Sequence, residues 1–253
     1  MNVTVLGAGS LGFAYAAFLS SRGHQVTIWS PSGKGISDLL LNGGRLGAQG
    51  KVAGEFTISP SEDLQSALEA SNVVIFALPG NGHESIMSRA ARYLRDEHLV
   101  VVTPVVSLSA SVLASYTADF GTKPLICASS TTMLTARRLS GTTVNIMTIR
   151  PSVDICSLPA SALNRAIAML SSLFDSSFEP RSSMLEATLS NSGPVIHVPL
   201  ALMNMTRMER GESWLQYEHF TENVSNVMLA VDRERIAVGA RFGFSFSSIG
   251  DQF

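Results

Sequence analysis

The feature that most constrains the fold of this chain is a glycine-rich turn directly after a short apolar run at the N-terminus. The run is Asn2–Leu6, the turn is GAGSLG at residues 7–12, and a small-residue helical segment follows over residues 13–21. Gly23 stands where a C-cap glycine is expected, and a second β-branched run, Gln25–Trp29, comes soon after it. Strand, turn, helix and strand within about 30 residues predict a βαβ unit with parallel strands.

The turn has the G-x-G-x-x-G pattern that binds the pyrophosphate of a dinucleotide in such a unit. In that pattern Gly7 makes the tight turn, Gly9 lets the backbone approach the phosphates, and Gly12 lets the helix pack closely on the strand. The free N–H groups at the start of the helix favour an anion. We therefore predict a dinucleotide site formed by Gly7, Gly9, Ser10, Leu11 and Gly12. The alternative is a glycine-rich turn that holds no ligand.

The end of the second strand indicates which nucleotide is bound. An NAD site usually has an acidic residue there, which binds the ribose 2′-hydroxyl. This chain has Ser30 at that position, then Ser32 and Lys34, and no acidic residue precedes Asp38. Two hydroxyls and a cation suit a 2′-phosphate, so the sequence favours NADP(H) over NAD(H), with Ser30, Ser32 and Lys34 as binding residues. An ordinary polar turn is the alternative interpretation.

Strand-like and helical runs alternate through the rest of the first 180 residues. Further strands are predicted over residues 72–78, 99–103, 124–129, 143–148 and 153–157, and helices over 61–70, 83–95 and 159–174. This alternation predicts an α/β fold, a Rossmann-type, doubly wound and mainly parallel sheet with helices on both faces. Helical periodicity dominates beyond Arg181. We therefore predict a dinucleotide-binding domain over residues 1–182 and a smaller all-helical domain over residues 183–253.

The composition of the chain argues against several classes of partner. Its 253 residues include 18 basic and 20 acidic side chains, for a net charge of −2, so no nucleic-acid partner is expected. The N-terminal stretch lacks the positive start of a signal peptide, and residues 99–118 are too polar to span a bilayer. Cys127 and Cys156 match neither a disulfide framework nor a metal spacing, and the histidines show no ligand spacing either. We expect a cytoplasmic protein without a membrane or metal partner.

A second informative pattern lies in the predicted helical part. Gly193-Pro194 and Pro199 are expected to interrupt a helix on either side of His197. Such an interruption points a side chain away from the bundle, and an imidazole is suited to act as a general acid or base near neutral pH. Taken alone, a histidine in an apolar helix is more often a core residue.

The sequence around His197 resembles the octopine/nopaline (opine) dehydrogenase family. The matching residues are Leu189, Asn191, Pro194, His197, Pro199, Leu202, Asn204 and Arg207. Leu78-Pro79 with His83 also resembles the loop that follows the fourth strand in that family. Together with the N-terminal glycine-rich half, the resemblance covers the whole chain.

The resemblance implies an NAD(P)H-dependent reductive condensation. The amine of an amino acid and an α-keto acid form an imine, and hydride transfer to the imine carbon gives a secondary amine. It implies His197 as the general acid/base, Asn191 as a residue that holds a substrate carbonyl or fixes the broken helix, and Leu78 and Pro79 as cofactor-contacting residues. The identity of the amino acid and the keto acid stays open, and so does the assembly state, a homodimer among the options.

Two other classes of protein compete with this interpretation. Ketopantoate reductase, 2-hydroxy acid, 6-phosphogluconate and glycerol-3-phosphate dehydrogenases share the two-domain plan, but several depend on a catalytic lysine, and no lysine follows Lys123. A non-catalytic NADP-binding module is the other alternative. In the opine dehydrogenase family an aspartate later in the helical domain orients the histidine. The sequence reaches Phe253 before that region, so we expect an incomplete helical domain.

Overall fold

The computed structural model of the protein describes residues 1–174 and 176–251, with the backbone alone at position 217. The chain divides into two compact units, Met1–Thr188 and Leu189–Phe253. The predicted boundary at residues 182 and 183 precedes helix α7 (Met184–Ser190), whereas the division between the units falls inside that helix. Each unit has its own apolar core.

The described part of the first unit contains twelve strands and six helices that precede α7. The strands are β1 Asn2–Leu6, β2 Gln25–Trp29, β3 Arg45–Gly50, β4 Gly54–Thr57, β5 Ser59–Ser61, β6 Val73–Phe76, β7 Leu99–Val102, β8 Leu125–Ser129, β9 Leu134–Arg138, β10 Thr143–Ile149, β11 Ser152–Leu158 and β12 Ser177–Pro180. The helices are α1 Ser10–Ser21, α2 Ser37–Leu41, α3 Leu64–Glu69, α4 His83–Ala91, α5 Ser109–Asp119 and α6 Leu163–Leu173.

Eight of these strands form the main sheet, in the order β12-β11-β8-β7-β6-β1-β2-β5. All neighbouring pairs are parallel except β8 and β11, which are antiparallel. The central strands β6 and β7 are buried along their whole length, as expected when helices cover both faces of a parallel sheet. The predicted α/β fold with a Rossmann-type, mainly parallel sheet is therefore confirmed.

A second sheet, which the sequence analysis did not predict as a separate layer, has the order β4-β3-β10-β9. Helix α1 packs against strands of both sheets, and every residue from Gly12 to Leu19 is buried. This accounts for the composition of α1, in which apolar residues face all directions instead of forming one stripe. Its first turn, beside the glycine-rich turn, therefore belongs to a helix that is held from two sides.

One buried tyrosine connects α1 to two other parts of the first unit. The Tyr15 hydroxyl lies 2.9 Å from Thr103 Oγ1 and accepts a hydrogen bond from the Met133 N–H at 3.1 Å. Complete burial raises the pKa of Tyr15 to about 12, so the hydroxyl stays neutral at physiological pH. Its hydrogen bonds keep α1 in register with the end of β7 and the start of β9.

The second unit is helical in its described part. Its helices are α8 Gly193–Met203, α9 Met205–Glu209 and α10 Glu222–Arg241, and its small core consists of Val195, Leu200, Val224, Met228 and Ile249. The predicted interruption at Gly193-Pro194 is the start of α8, but the predicted interruption at Pro199 is wrong, because α8 continues through that residue. Pro199 is buried on the same side as Val195 and Leu200, and this packing offsets the helical hydrogen bond that proline cannot make.

Two features are absent from the described residues. No helix there combines the length and the apolar character needed to cross a membrane. No group of three or more histidine, cysteine, aspartate or glutamate side chains in that part of the chain is arranged to hold a metal ion. Cys127 and Cys156 are free, buried thiols on β8 and β11, and burial raises the pKa of both.

Candidate functional site

The candidate site in the first unit is a cleft of about 500 Å³ at the carboxyl ends of β1, β2 and β6. Three loops form it, because parallel strands release their following loops at the same edge of the sheet. The lining residues are Gly7, Ala8, Gly9, Ser30, Pro31, Ser32, Gly35, Ala77, Leu78, Pro79, Asn81, Gly82, Ser85 and Ile86. No acidic or basic side chain is among these lining residues.

The backbone of the glycine-rich turn leaves no room for a side chain at Gly7 and Gly12. Gly7 has a φ of +122°, and a Cβ there would overlap the carbonyl oxygen of Ala77. A Cβ at Gly12 would overlap the carbonyl oxygen of Gly7, so the helix and the turn are in direct backbone contact. At Gly9 a Cβ would meet no atom within 4 Å. The open space over Gly9 is therefore available to a ligand and is not filled by the protein itself.

The electrostatics of this end of α1 favour an anion. Gly9 is the N-cap residue of α1, and it provides no side chain to accept from the first N–H groups of the helix. The first turn contains no acidic residue. Unpaired N–H groups and the positive end of the helix dipole bind phosphate, so the residues present fit a dinucleotide pyrophosphate over Gly9.

Six of the ten residues predicted to bind the cofactor line this cleft. They are Gly7, Gly9, Ser30, Ser32, Leu78 and Pro79. Leu11 and Gly12 lie behind the turn, and the Ser10 hydroxyl accepts a hydrogen bond from the Arg138 N–H at 3.0 Å. Lys34 is exposed and is not a lining residue. The structure thus brings the two serines into the cleft, where the loop after β2 lines it, and leaves the lysine outside the lining.

One wall of the cleft was not predicted from the sequence. Asn81, Gly82, Ser85 and Ile86 line it from the turn before α4 and from α4 itself. Their signal was the Gly80-Asn81-Gly82 run after β6, which becomes informative only once β6 is known to lie beside β1. In a doubly wound sheet this crevice is the expected ligand position.

A buried histidine holds that wall in place. His83 Nε2 lies 3.1 Å from the Leu78 carbonyl oxygen, and Nδ1 lies 3.0 Å from Ser109 Oγ. Burial lowers the pKa of His83, so the ring is neutral at physiological pH. A neutral ring with the proton on Nε2 donates to Leu78 and accepts from the Ser109 hydroxyl. His83 thereby connects the loop after β6 to the N-terminus of α5.

The second unit contains the two residues predicted to be catalytic. His197 is exposed on α8, in the fifth position of that helix. Asn191 precedes α8, and its Oδ1 accepts a hydrogen bond from the Gly193 N–H at 2.9 Å. Asn191 therefore stabilises the turn that starts α8.

A buried ion pair organises the last part of the second unit. The Asp232 carboxylate accepts from Arg235 at 2.8 Å, from Ser248 Oγ at 2.9 Å and from the Ile249 N–H at 2.8 Å. Arg235 also donates to the carbonyl oxygens of Leu189 and Ser247. Burial alone would raise the pKa of Asp232, but the hydrogen bonds from Ile249, Arg235 and Ser248 lower it. This cluster fastens residues 247–249 to α10.

Each of the two units matches a known protein family. The alpha-helical domain of NAD/NADP octopine/nopaline dehydrogenase matches residues 180–253. The N-terminus of NAD-dependent glycerol-3-phosphate dehydrogenase matches residues 2–105. The first match covers α8 to α10, and the second covers the glycine-rich turn and the other two loops of the cleft.

Relatives and solved structures extend over nearly the whole chain. The opine dehydrogenase of Arthrobacter sp. (strain 1C) is 26% identical over 250 residues, which are 97% of this chain and 69% of the relative. Octopine dehydrogenase with NADH and L-arginine superimposes with a TM-score of 0.74 at 18% identity, over 95% of this chain and 64% of that one. Yersinopine dehydrogenase with NADP+ bound gives 0.75 at 18% identity, over 98% and 65%. The chain thus spans about two thirds of the length of these proteins.

The Rossmann-type sheet, the open glycine-rich turn and the helical second unit define the class of two-domain NAD(P)-binding oxidoreductases. Within that class the glycine-rich half is similar to that of glycerol-3-phosphate dehydrogenases, so it does not separate the families. The match of the helical domain does separate them. The helical unit matches the octopine/nopaline dehydrogenase family, and the chain is similar to an opine dehydrogenase over nearly its whole length.

Proposed function

We propose that this protein is an NAD(P)H-dependent oxidoreductase that condenses the amine of an amino acid with an α-keto acid. The observation that carries the proposal is the match of residues 180–253 to the octopine/nopaline dehydrogenase helical domain, together with a cleft in the first unit that fits a dinucleotide. The amine adds to the ketone carbon, water leaves, and the resulting imine is reduced to a secondary amine. When bound, the dinucleotide supplies the hydride for that reduction.

The residues of the chain have separate parts in this proposal. The α1 N-terminus and the backbone at Gly9 bind the pyrophosphate, and the Ser30 and Ser32 hydroxyls face the adenosine ribose. His197 gives a proton to the hydroxyl that leaves as water and takes one from the amine, as a general acid/base near neutral pH does. Its exposure on α8 leaves the imidazole accessible to a substrate.

Substrates and cofactor preference are part of the proposal. Solved structures of octopine dehydrogenase include complexes with L-arginine, agmatine and pyruvate, so arginine with pyruvate is the first pair to test. NADP(H) is favoured over NAD(H), because the lining residues of the cleft include serines and no carboxylate. The buried, unpaired thiols of Cys127 and Cys156 are typical of a reducing compartment, which supports the cytoplasm as the location. A homodimer is the assembly proposed for testing.

The test is NADPH oxidation with a panel of amino acids and α-keto acids, each supplied alone and in pairs. The proposal expects oxidation that requires both partners. A Gly9→Val variant is the negative control, because its side chain would fill the space over the turn. Tight binding of NADPH by the unchanged chain without turnover on any pair would contradict the enzyme and favour a non-catalytic binding module.

A further inference from the structure

An arginine outside the cleft connects two of the loops that form it. Arg138 is the last residue of β9, and its Nη1 donates to the carbonyl oxygens of Ala8 at 2.7 Å and Gly35 at 3.1 Å. Ala8 belongs to the glycine-rich turn, and Gly35 belongs to the loop after β2. Both residues line the cleft, whereas Arg138 does not.

The same side chain is fixed by its surroundings. Arg138 Nε donates to the Ser140 carbonyl oxygen at 2.8 Å, and Nη2 donates to that of Gly141 at 3.3 Å. The guanidinium carbon lies 4.3 Å from the centre of the Phe13 ring, a distance typical of a cation–π contact. Because four carbonyl oxygens and one ring hold the guanidinium, its position relative to the two loops is set.

The loops that Arg138 joins are in close contact. A Cβ at Gly35 would lie 2.9 Å from the Ala8 Cβ and 2.8 Å from Ser30 Oγ. The loop after β2 therefore lies directly on the glycine-rich turn, and within that loop Ser30 lies against Gly35. In this fold class the adenosine ribose sits at the end of the second strand and the pyrophosphate sits at the turn, so the spacing of these loops determines how both groups fit.

We propose that Arg138 is a positioning residue for the cofactor, which holds the adenosine side of the cleft at a fixed distance from the glycine-rich turn. Arg138 makes no contact with the cofactor in this role and acts through the Ala8 and Gly35 carbonyl groups. The inference rests on the dinucleotide half of the proposed function. It is independent of the condensation reaction and of His197.

The test is the calorimetric affinity of the full chain for NADPH and for adenosine 2′,5′-bisphosphate, which represents the adenosine half alone. We expect Arg138→Ala to weaken both by at least tenfold and Arg138→Lys to weaken them less, because an ammonium group keeps part of the bonding. The matched control is Arg137→Ala, which removes the same charge from the exposed neighbouring position and should change either affinity less than twofold.

A second variant addresses the same contact without a change of charge. Gly35→Ala would press its Cβ against Ala8 and Ser30, and it should reproduce the loss for both ligands. Circular dichroism shows which variants are folded. If Arg138→Ala does not fold, Arg138→Lys and Gly35→Ala carry the test.

Two results would overturn the inference. One is a folded Arg138→Ala protein that melts at a lower temperature but binds both ligands as tightly as the unchanged chain, which is the outcome for a purely structural arginine. The other is an equal loss in the Arg137→Ala and Arg138→Ala proteins, which would indicate a general charge effect. Either result leaves the proposed reaction standing, because turnover with amino acid and keto acid is measured separately.

Discussion

At the scale of single residues, we propose that Ser30 determines the choice between NADPH and NADH. It lies buried at the end of β2, next to Gly35, and lines the cleft. Ser30→Asp would place a carboxylate where it repels a 2′-phosphate and accepts from a ribose hydroxyl, a difference of about 1–3 kcal/mol for charge-assisted hydrogen bonds. We expect the preference for NADPH over NADH to reverse, as measured by calorimetry. Ser30→Asn, which has the same shape without the charge, is the control. Equal or tighter NADH binding by the unchanged chain would contradict the assignment.

His197 carries the second prediction at this scale. If its imidazole transfers protons during condensation, His197→Ala should lower turnover by about 10²–10⁴-fold, the usual contribution of a general acid/base. NADPH affinity should stay unchanged, because the cofactor cleft belongs to the first unit. Steady-state kinetics and calorimetry together separate these effects. The matched control is His219→Gln, another histidine of the second unit, and a similar fall in turnover in that variant would count against a specific role for His197.

The sequence predicted those site residues whose signal is local. The glycine-rich turn and the two serines follow directly from strands that the sequence predicts by itself. Arg138 could not be found in this way, because it lies 128 positions from Ser10, and the contact depends on a second sheet. Ser85 was missed for a similar reason, since it lines the cleft only because β6 pairs with β1. Residues next to a predicted strand can be assigned to the site from the sequence. Residues that reach the site only through strand pairing or a second sheet cannot.

At the scale of elements, six of the seven predicted strands belong to the main sheet, and the seventh, predicted over residues 143–148, is β10 of the second sheet. Their runs of buried β-branched residues give a strong signal, as in β6 and β7. Strand β3 carries two glycines and β9 ends in two arginines, so neither resembles a core strand. These strands form because α1 has an apolar outer face that a second sheet covers. At Pro199 the structure departs from the local signal in the opposite direction. Proline predicts a break there, but tertiary packing keeps α8 helical.

The ion pair on α10 provides the prediction at this scale. Asp232→Ala would leave the buried Arg235 guanidinium without its charged partner, at a cost of about 3–5 kcal/mol in the free energy of unfolding. The chain has two tryptophans, Trp29 in the first unit and Trp214 in the second. We expect urea unfolding followed by Trp214 fluorescence, in a Trp29→Phe background, to shift to lower urea. An unchanged midpoint would contradict the role assigned to the pair.

The same carboxylate makes the second unit sensitive to acid. Folding lowers the pKa of Asp232, so its stabilising contribution is complete above the pKa of an unfolded aspartate, about 3.9. The contribution is lost as the pH falls below that value towards the folded-state pKa. The midpoint difference between the unchanged chain and Asp232→Ala should therefore be constant from pH 7 to about 5 and should shrink in stronger acid.

At the scale of the whole molecule, the two units differ in how much apolar surface they bury. The first has extensive cores on both faces of the main sheet, whereas the described part of the second has a core of five residues. Val198, Leu202, Met205 and Met208 of the second unit are exposed. The predicted small helical domain is therefore observed as a unit with a minor core. The match of residues 180–253 to the octopine/nopaline dehydrogenase helical domain shows what kind of domain this unit is, which its packing alone does not.

Because α1 is enclosed between two sheets, hydrogen exchange of its backbone amides can be used to measure ligand binding to the first unit. Backbone amides of the buried stretch from Gly12 to Leu19 should exchange hydrogen for deuterium only when the whole first unit opens. A ligand that binds the folded unit slows such exchange by a factor of one plus its concentration over Kd, about a hundredfold at 100 times Kd. Deuterium uptake in this one peptide would then rank nucleotides by affinity, with no substrate present and no reaction taking place.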